Sequence, residues 1–471
     1  MSRKKVDRIE TELHVVDINA KGLGVAKNKE GAVYFIKDVI PGDVVDVQVY
    51  KKGRRYFEAN PIKWIKKSPQ RTVPPCDHFG VCGGCKLQHL SYEGQLSFKE
   101  KGVLHNLSNI GKIDIETVLP IAASKNPYYY RNKMEFSFSN KRWLTSEEIA
   151  GENKIERNGL GFHKPGMWDK IVDIHHCHLQ ADPSNKIRNA IKLFAIQEQL
   201  DFFDTREQKG FLRTLMIRNT LGGELMVLIQ FFKEDQEKRR LLLDFLKNEF
   251  PEIKSLLYCI NKKGNDSLYD QNIICYYGQN FITEHLNGLQ FKISAKSFYQ
   301  TNPKQAEVLY TIGKEFADLK GNEIVYDLYS GTGTIALFLA EKCAKVIGIE
   351  SVPDAIEAAN ENARFNQIEN AFFEVGDMKN CFNDSFIERH GKADVVITDP
   401  PRNGMHSDVV NQLLKLNPSK IVYISCNSST QARDLEIMKE FYSVIKSQAV
   451  DMFPQTHHVE NVVLLQRKIN R

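Results

Sequence analysis

Apolar residues follow two rhythms along this chain. Up to about residue 67 they come in short β-branched runs, LHVVDI, AVYFIKDV and DVVDVQVY, parted by Gly22, Gly24, Gly31 and the Pro41-Gly42 turn. Such runs predict short strands, and several in so small a segment predict a small all-β, OB-like barrel over residues 1–67. From about Asn322 the runs change to EIVYDLY, AKVIGIE, ADVVITDP and KIVYISC, nearly unbroken apolar stretches with helical segments between them. Strands that apolar are covered on both faces, which predicts a parallel, Rossmann-like α/β sheet over residues 286–471. Between the two, residues 68–285 mix a helical pattern, EDQEKRRLLLDFLKNEF, with strands such as GELMVLIQFF and predict a mixed α/β central domain.

Length and composition agree with several domains. A chain of 471 residues exceeds one ordinary core, and 42% hydrophobic with 26% charged residues is a globular composition. No apolar run reaches membrane-spanning length and the opening MSRKKVDRIE lacks a signal-like apolar stretch, so the cytoplasm is the expected location. Residues 1–67 hold 15 Lys and Arg against 9 Asp and Glu, a surplus of six, while the whole chain holds 64 against 59. The barrel segment therefore carries the entire basic excess. In KKGRRYF and IKWIKK its cations alternate with Tyr56, Phe57 and Trp64, a pairing that suits single-stranded nucleic acid.

The first long apolar strand of the C-terminal region runs into Asp327-Leu-Tyr329-Ser-Gly331-Thr-Gly333-Thr, and the next ends on Glu350. Glycines at a strand-to-helix turn let the backbone approach a ligand, and a carboxylate about 20 residues on can accept ribose hydroxyls. This is a nucleoside-binding pattern. It fits a nicotinamide dinucleotide as well as other nucleoside cofactors, so the discrimination falls to the later strand ends, where ligands of such sheets bind.

Those ends carry Asp399-Pro400-Pro401-Arg402-Asn403-Gly404 and Ser425-Cys426-Asn427. Hydride transfer calls for a proton shuttle there, not a thiol. Alkylating a pyrimidine carbon such as C5 of uracil does call for one: a thiolate adding to C6 makes C5 nucleophilic, and a base must afterwards remove the C5 proton. Cys426 lies just past a strand end, beside a helix start at Ser428-Ser429-Thr430, whose dipole is expected to lower the thiol pKa. Glu460, just before the last strand, reads from the residues alone as an exposed strand-edge carboxylate.

Nine cysteines in a chain of this kind point to metal binding or catalysis before disulfides. Cys76, Cys82 and Cys85 have ligand spacing, with Gly83 and Gly84 free to lend amides to sulfur, and Cys177 in IHHCHL is the only other cysteine before residue 259. A four-thiolate zinc site and a four-iron cluster suit these residues about equally.

DPPRNG, ISCN with ARD shortly after, DMFPQTHHVE, the CDHFGVCGGCKLQH cluster and the N-terminal barrel together resemble the RNA uracil-C5 methyltransferase family over nearly the whole chain. The likeness is to its iron–sulfur-containing 23S ribosomal RNA branch with an N-terminal TRAM barrel. It implies S-adenosylmethionine as methyl donor, Cys426 as nucleophile, Glu460 as the proton-abstracting base, and Gln300 in KSFYQTNP, Tyr329, Glu350 and Asp399 as cofactor contacts, Asp399 also facing the target base. It further implies a [4Fe-4S] cluster on Cys76, Cys82, Cys85 and Cys177, RNA as partner, and neither a membrane nor an obligatory protein partner. Where the family usually has Pro after SCN, this chain has Ser428, which bears on the shape of that loop.

Overall fold

A computed structural model describes residues 8–19, 21–151 and 155–468. The chain divides into two compact units, residues 1–102 with 453–459, and residues 103–452 with 460–471.

The first unit holds a closed five-stranded barrel of β1 (Arg8–Ile18), β2 (Gly24–Lys27), β3 (Val33–Ile36), β4 (Val44–Lys52) and β5 (Tyr56–Lys66), in the order β1-β2-β3-β5-β4. Alternation along β4 sends Val45, Val47 and Val49 inward, where they meet Leu13, Val15, Tyr34, Ile36 and Ala59 in one core. Closure leaves no free strand edge, so a segment this small can bury its apolar side chains without help from another sheet.

In the second unit, β7 (Lys133–Ser139), β8 (Gly159–Lys164), β9 (Met167–Asp173), β10 (Leu212–Asn219), β11 (Leu225–Phe231), β12 (Ile253–Ile260) and β13 (Ile274–Gly278) form a seven-stranded sheet; β6 (Ile115–Ala122) pairs elsewhere. Strands β10 and β11 are buried almost throughout, and the helices Ser184–Gln197 and Gln236–Glu249 contribute Ile187, Ile191, Leu242, Leu243 and Leu246 to their core. A hairpin, β14 (Phe281–Leu286) with β15 (Leu289–Ser294), follows.

The remaining strands are β16 (Ile324–Leu328), β17 (Lys345–Glu350), β18 (Ala371–Val375), β19 (Val395–Thr398), β20 (Lys420–Ser425), β21 (Tyr442–Val450) and β22 (Glu460–Arg467). They build an eight-stranded sheet in the order β18-β17-β16-β19-β20-β22-β21-β6. Strands β16 to β20 are mutually parallel, joined through helices as their apolar sequences require, and β22 runs antiparallel between β20 and β21. The outermost strand, β6, comes from far upstream and pairs with β21 in parallel. Among the described residues no helix is long and apolar enough to cross a membrane.

Candidate active site

Sheet order decides which side chains meet. Strands β17, β16, β19 and β20 are parallel neighbours, so their carboxyl ends share one edge of the sheet. Glu350 ends β17, Tyr329 follows β16, Asp399 follows β19 and Cys426 follows β20. Antiparallel β22 begins on that same edge with Glu460. Ser425 pairs with Asn461, so one further step of the register sets Cys426 opposite Glu460. Neighbouring strands lie about 4.8 Å apart, which places the row from Glu350 to Glu460 within roughly 19 Å. Five of the six expected catalytic and cofactor residues thus stand side by side in strand order. The sixth, Gln300, lies on the segment leading into helix Pro303–Ala317, where its carbonyl accepts from Asn132 Nδ2 at 3.2 Å. Asn302 caps that helix by accepting from Gln305 N at 3.2 Å and donates from Nδ2 to the Met452 carbonyl at 3.0 Å.

At the cofactor end the chain turns through three left-handed residues, Tyr329, Gly331 and Gly333. The two glycines serve different purposes. A β-carbon on Gly333 would stand 2.8 Å from the Phe373 ring and 3.0 Å from Ala359, so this position is glycine for internal packing. A β-carbon on Gly331 would meet nothing within 4 Å, so its bareness leaves open room beside Glu350. Glu350 is fixed in place: Oε2 accepts from Gly331 N at 3.2 Å, and Oε1 accepts from Ser351 N, Ser351 Oγ and Val352 N at 2.7, 2.9 and 3.0 Å. Asp327, fully buried beneath the turn, accepts from Ala336 N at 3.0 Å, and burial pushes its carboxyl well above the usual carboxylate range. The cradle fits a nucleoside cofactor.

At the other end of the row, ionisable groups crowd together. Burial, then the neighbouring Glu460 and Asp399, push the Cys426 thiol up to about 11, against the Arg402 cation and a backbone hydrogen bond. Glu460 is 4% exposed, and burial with the neighbouring Asp399 raises it well above the usual carboxylate range. Asp399 rises to about 7 through burial. Three acids facing one cation disfavour one another's ionisation, so each releases its proton less readily than it would in water. This corrects two sequence expectations. The helix start beside Cys426 is real, spanning Ser428–Met438 with Asn427 as its cap, yet burial and two acids outweigh the dipole and the thiol pKa is raised. Glu460 is a buried residue of an interior strand, not an exposed edge carboxylate.

Two participants went unnoticed in the sequence. Arg402 is the exposed cation facing Cys426 and Glu460; its only signal was its place directly after Asp399-Pro-Pro. Tyr310 lies buried on helix Pro303–Ala317, where burial first and then the nearby Asp399, Asp327 and Glu460 push its hydroxyl pKa up; nothing set it apart from other core positions. Ser428, where the family usually has Pro, occupies the first helical position and its Oγ accepts from Asn106 Nδ2 at 2.8 Å. The loop keeps its cap without the proline.

Cys76, Cys82 and Cys85 lie half-buried on one loop of the first unit. Gly80 and Gly83 are left-handed there, and the Gly84 amide donates to Cys82 Sγ at 3.5 Å. Cys177, half-buried on the loop after β9 in the second unit, is clasped by Asn185, which accepts from its N–H at 2.8 Å and donates to its carbonyl at 3.3 Å. Three thiols on a glycine-bearing loop, one already receiving a backbone N–H, suit a sulfur-rich centre chemically. Among the described residues, no group of three or more Cys, His, Asp or Glu side chains stands gathered as a metal-holding set.

The profile of the tRNA (Uracil-5-)-methyltransferase family matches residues 213–468. An uncharacterized RNA methyltransferase of Porphyromonas gingivalis is 51% identical over 97% of this chain and 99% of its own length. A second, from Bacteroides thetaiotaomicron, is 50% identical over 95% and 99%. Among solved structures, the tRNA (uracil-54, C5)-methyltransferase of Pyrococcus abyssi in complex with S-adenosyl-L-homocysteine superposes with a TM-score of 0.75 at 29% identity, covering 96% of this chain and 99% of that one. With the strand-edge row in place and relatives matching along almost its whole length, this chain belongs to the tRNA (uracil-5-)-methyltransferase family of S-adenosylmethionine-dependent RNA methyltransferases.

Proposed function

We propose that this protein methylates C5 of a specific uridine in RNA, with Cys426 as covalent nucleophile and Glu460 as the base that releases the product. The observation that carries the reading is the register setting Cys426 opposite Glu460, on the same sheet edge as the strand ends that carry Asp399, Tyr329 and Glu350. S-adenosylmethionine, when bound, supplies an electrophilic methyl carbon. The glycine turn, Tyr329, Glu350 and Gln300 would hold it, and Asp399, between Tyr329 and Cys426 in strand order, would hydrogen-bond the target base. Cys426 gives up its proton to solvent, with Arg402 as the nearby cation, and its sulfur bonds to C6 of the uracil. The electron pair of the C5–C6 bond moves to C5 and the O4 side of the ring, and C5 takes the methyl group. Glu460 then removes the C5 proton, the C5–C6 double bond re-forms, and the thiolate leaves. The ionised Glu460 takes that proton readily, because burial and the neighbouring Asp399 raise its pKa.

RNA containing 5-fluorouridine tests the scheme, because fluorine at C5 leaves Glu460 no proton to take. Enzyme, methyl donor and this RNA should give an adduct that survives denaturation. Cys426→Ala should give none; an adduct that persists in this variant removes Cys426 from the role.

The RNA we favour is 23S ribosomal RNA, supported by the cysteine spacing and the basic, TRAM-like barrel of residues 1–67, with 68–285 as an RNA-binding central domain and 286–471 as the methyltransferase domain. Transfer RNA is the second reading, favoured by the likeness to the Pyrococcus abyssi enzyme over almost the full chain. Mapping 5-methyluridine in both RNAs from a deletion strain separates them. Either substrate is cytoplasmic, and neither requires a further protein. Cys76, Cys82, Cys85 and Cys177 would hold a [4Fe-4S] cluster, with zinc as the alternative; no step of methyl transfer passes through it. Iron and acid-labile sulfide in anaerobically purified protein support the cluster, whereas zinc alone replaces it.

A further inference from the structure

Tyr129 is held in a conformation that core packing does not explain. Its backbone is left-handed, at φ 54°, which is costly for any residue with a β-carbon, yet the residue is 47% exposed. Strain of this kind persists where the surroundings impose it, and here they do. The Tyr129 N–H donates to the His178 carbonyl at 2.8 Å, and its hydroxyl lies 3.2 Å from His176 Nε2 and 3.0 Å from His178 Nδ1. The ring meets both imidazoles, at centroid separations of 6.3 and 5.8 Å, and the imidazoles meet each other at 4.5 Å. The result is a fixed aromatic surface.

That surface is tied to the site. Arg131 N donates to the Leu179 carbonyl at 2.8 Å, and Asn132 N donates to the Thr301 carbonyl at 2.8 Å while its side chain holds the Gln300 carbonyl. Three residues of chain therefore link the exposed ring to the segment bearing Gln300. The stretch from Lys125 to Lys133 carries Lys125, Arg131 and Lys133 without a carboxylate. A cationic neighbourhood around a rigid exposed ring matches a phosphate-linked base.

We propose that Tyr129, braced by His176 and His178, is a stacking platform for an unpaired RNA base flanking the target uridine. The proposal rests on the reading of this protein as an RNA methyltransferase and adds where the RNA is gripped. A uridine presented edge-on to a thiol must leave its stack, and the base beside it then loses a neighbour that an aromatic ring can replace.

The test uses the full chain and a single-stranded oligoribonucleotide carrying 2-aminopurine. Tyr129→Ala should weaken binding about tenfold or more and relieve the quenching of the probe, while affinity for S-adenosylhomocysteine stays unchanged. Tyr129→Phe, which keeps the ring, should retain most of the binding. Tyr129→Gly is the decisive variant: it relaxes the left-handed backbone, so it should melt no lower than the wild type and still bind RNA as poorly as Tyr129→Ala. Wild-type RNA affinity in Tyr129→Ala overturns the proposal, as does a Tyr129→Gly variant that loses stability together with binding. If the wild type makes no 5-methyluridine but its RNA affinity still depends on the ring, the proposed reaction fails and the platform stands.

Discussion

The side-chain amide of Asn427 donates to the carbonyl of Arg402 at 3.0 Å, and Thr430 Oγ1 reaches the same carbonyl at 3.2 Å. The loop after β20, which carries Cys426, is thereby fastened to the loop after β19, which carries Asp399. Asn427 does a second task with its other atom: Oδ1 accepts from Ser429 N at 3.1 Å and caps the helix that follows. One residue thus fixes both the position of the thiol relative to Asp399 and Arg402 and the start of the helix behind it.

The two tasks can be separated. Asn427→Asp keeps a capping oxygen, so stability should stay within a few tenths of a kcal/mol of the wild type. It loses the N–H to Arg402 and sets a carboxylate beside the thiol, so adduct formation with 5-fluorouridine RNA should slow at least tenfold. Asn427→Ala loses both and should also drop in stability by about 1 kcal/mol. An Asn427→Asp variant that forms adduct at the wild-type rate would show that the tie between the loops is immaterial.

The high pKa of Cys426 has a kinetic signature in the free enzyme. With the thiol pushed up to about 11, only about one site in 10,000 is thiolate at pH 7, and the fraction grows about tenfold per pH unit. Iodoacetamide labelling of Cys426, followed by mass spectrometry, should rise on that slope from pH 7 to 10. Arg402→Gln removes the one opposing cation and should slow labelling at pH 8. A rate that levels off below pH 8 would contradict the crowded-acid picture.

Much of this arrangement could be seen in the chain and some could not. EIVYDLY, AKVIGIE, ADVVITDP and KIVYISC announced β16, β17, β19 and β20 because apolar runs flanked by helical patterns have few alternatives. Gly331, Gly333 and Glu350 stood out because a glycine turn and a carboxylate at a fixed distance are local features. The neighbours of Cys426 are not local. Glu460 reaches it only because β22 inserts antiparallel between β20 and β21, and nothing in ENVVLLQR names the strand it pairs with. The same holds for β6, whose sequence IETVLPIA reads as a strand without an address. The thiol pKa went astray for the same reason: the helix start is written beside Cys426, whereas the burial and the two acids that outweigh it are assembled from distant segments.

Asp399 should weaken the fold in order to serve the site. Its folded pKa is about 7 against about 3.9 unfolded. Below pH 4 both states hold the proton. Between pH 4 and 7 the unfolded chain releases it and the folded protein does not, so stability falls as pH rises and the loss is complete above about pH 7. Three pKa units correspond to about 4 kcal/mol; the residue as a whole is only half-buried, and about 2 kcal/mol is the expected effect after solvent screening. Asp399→Asn should therefore melt higher than the wild type at pH 8, with the gap narrowing towards pH 5.5, while methyl transfer is lost. A gap that does not change with pH would place the origin of any stabilisation elsewhere.

The glycine pair at the cofactor turn gives a comparison in which one variant controls for the other. Both residues are left-handed, at φ 54° for Gly331 and φ 77° for Gly333, so alanine costs each about 1 kcal/mol of backbone strain. Only at Gly333 does the new methyl group collide with the protein, at Phe373 and Ala359, adding roughly 1–3 kcal/mol of overpacking. Gly333→Ala should lose several degrees of melting temperature and bind S-adenosylhomocysteine poorly as a consequence. Gly331→Ala should melt within a few degrees of the wild type, because its methyl group enters open room, yet that room lies beside the Glu350 carboxylate, and calorimetric affinity for S-adenosylhomocysteine should fall at least tenfold. Wild-type affinity in Gly331→Ala would mean that the nucleoside does not approach the backbone at this turn, and the carboxyl end of β16 would cease to be the cofactor site.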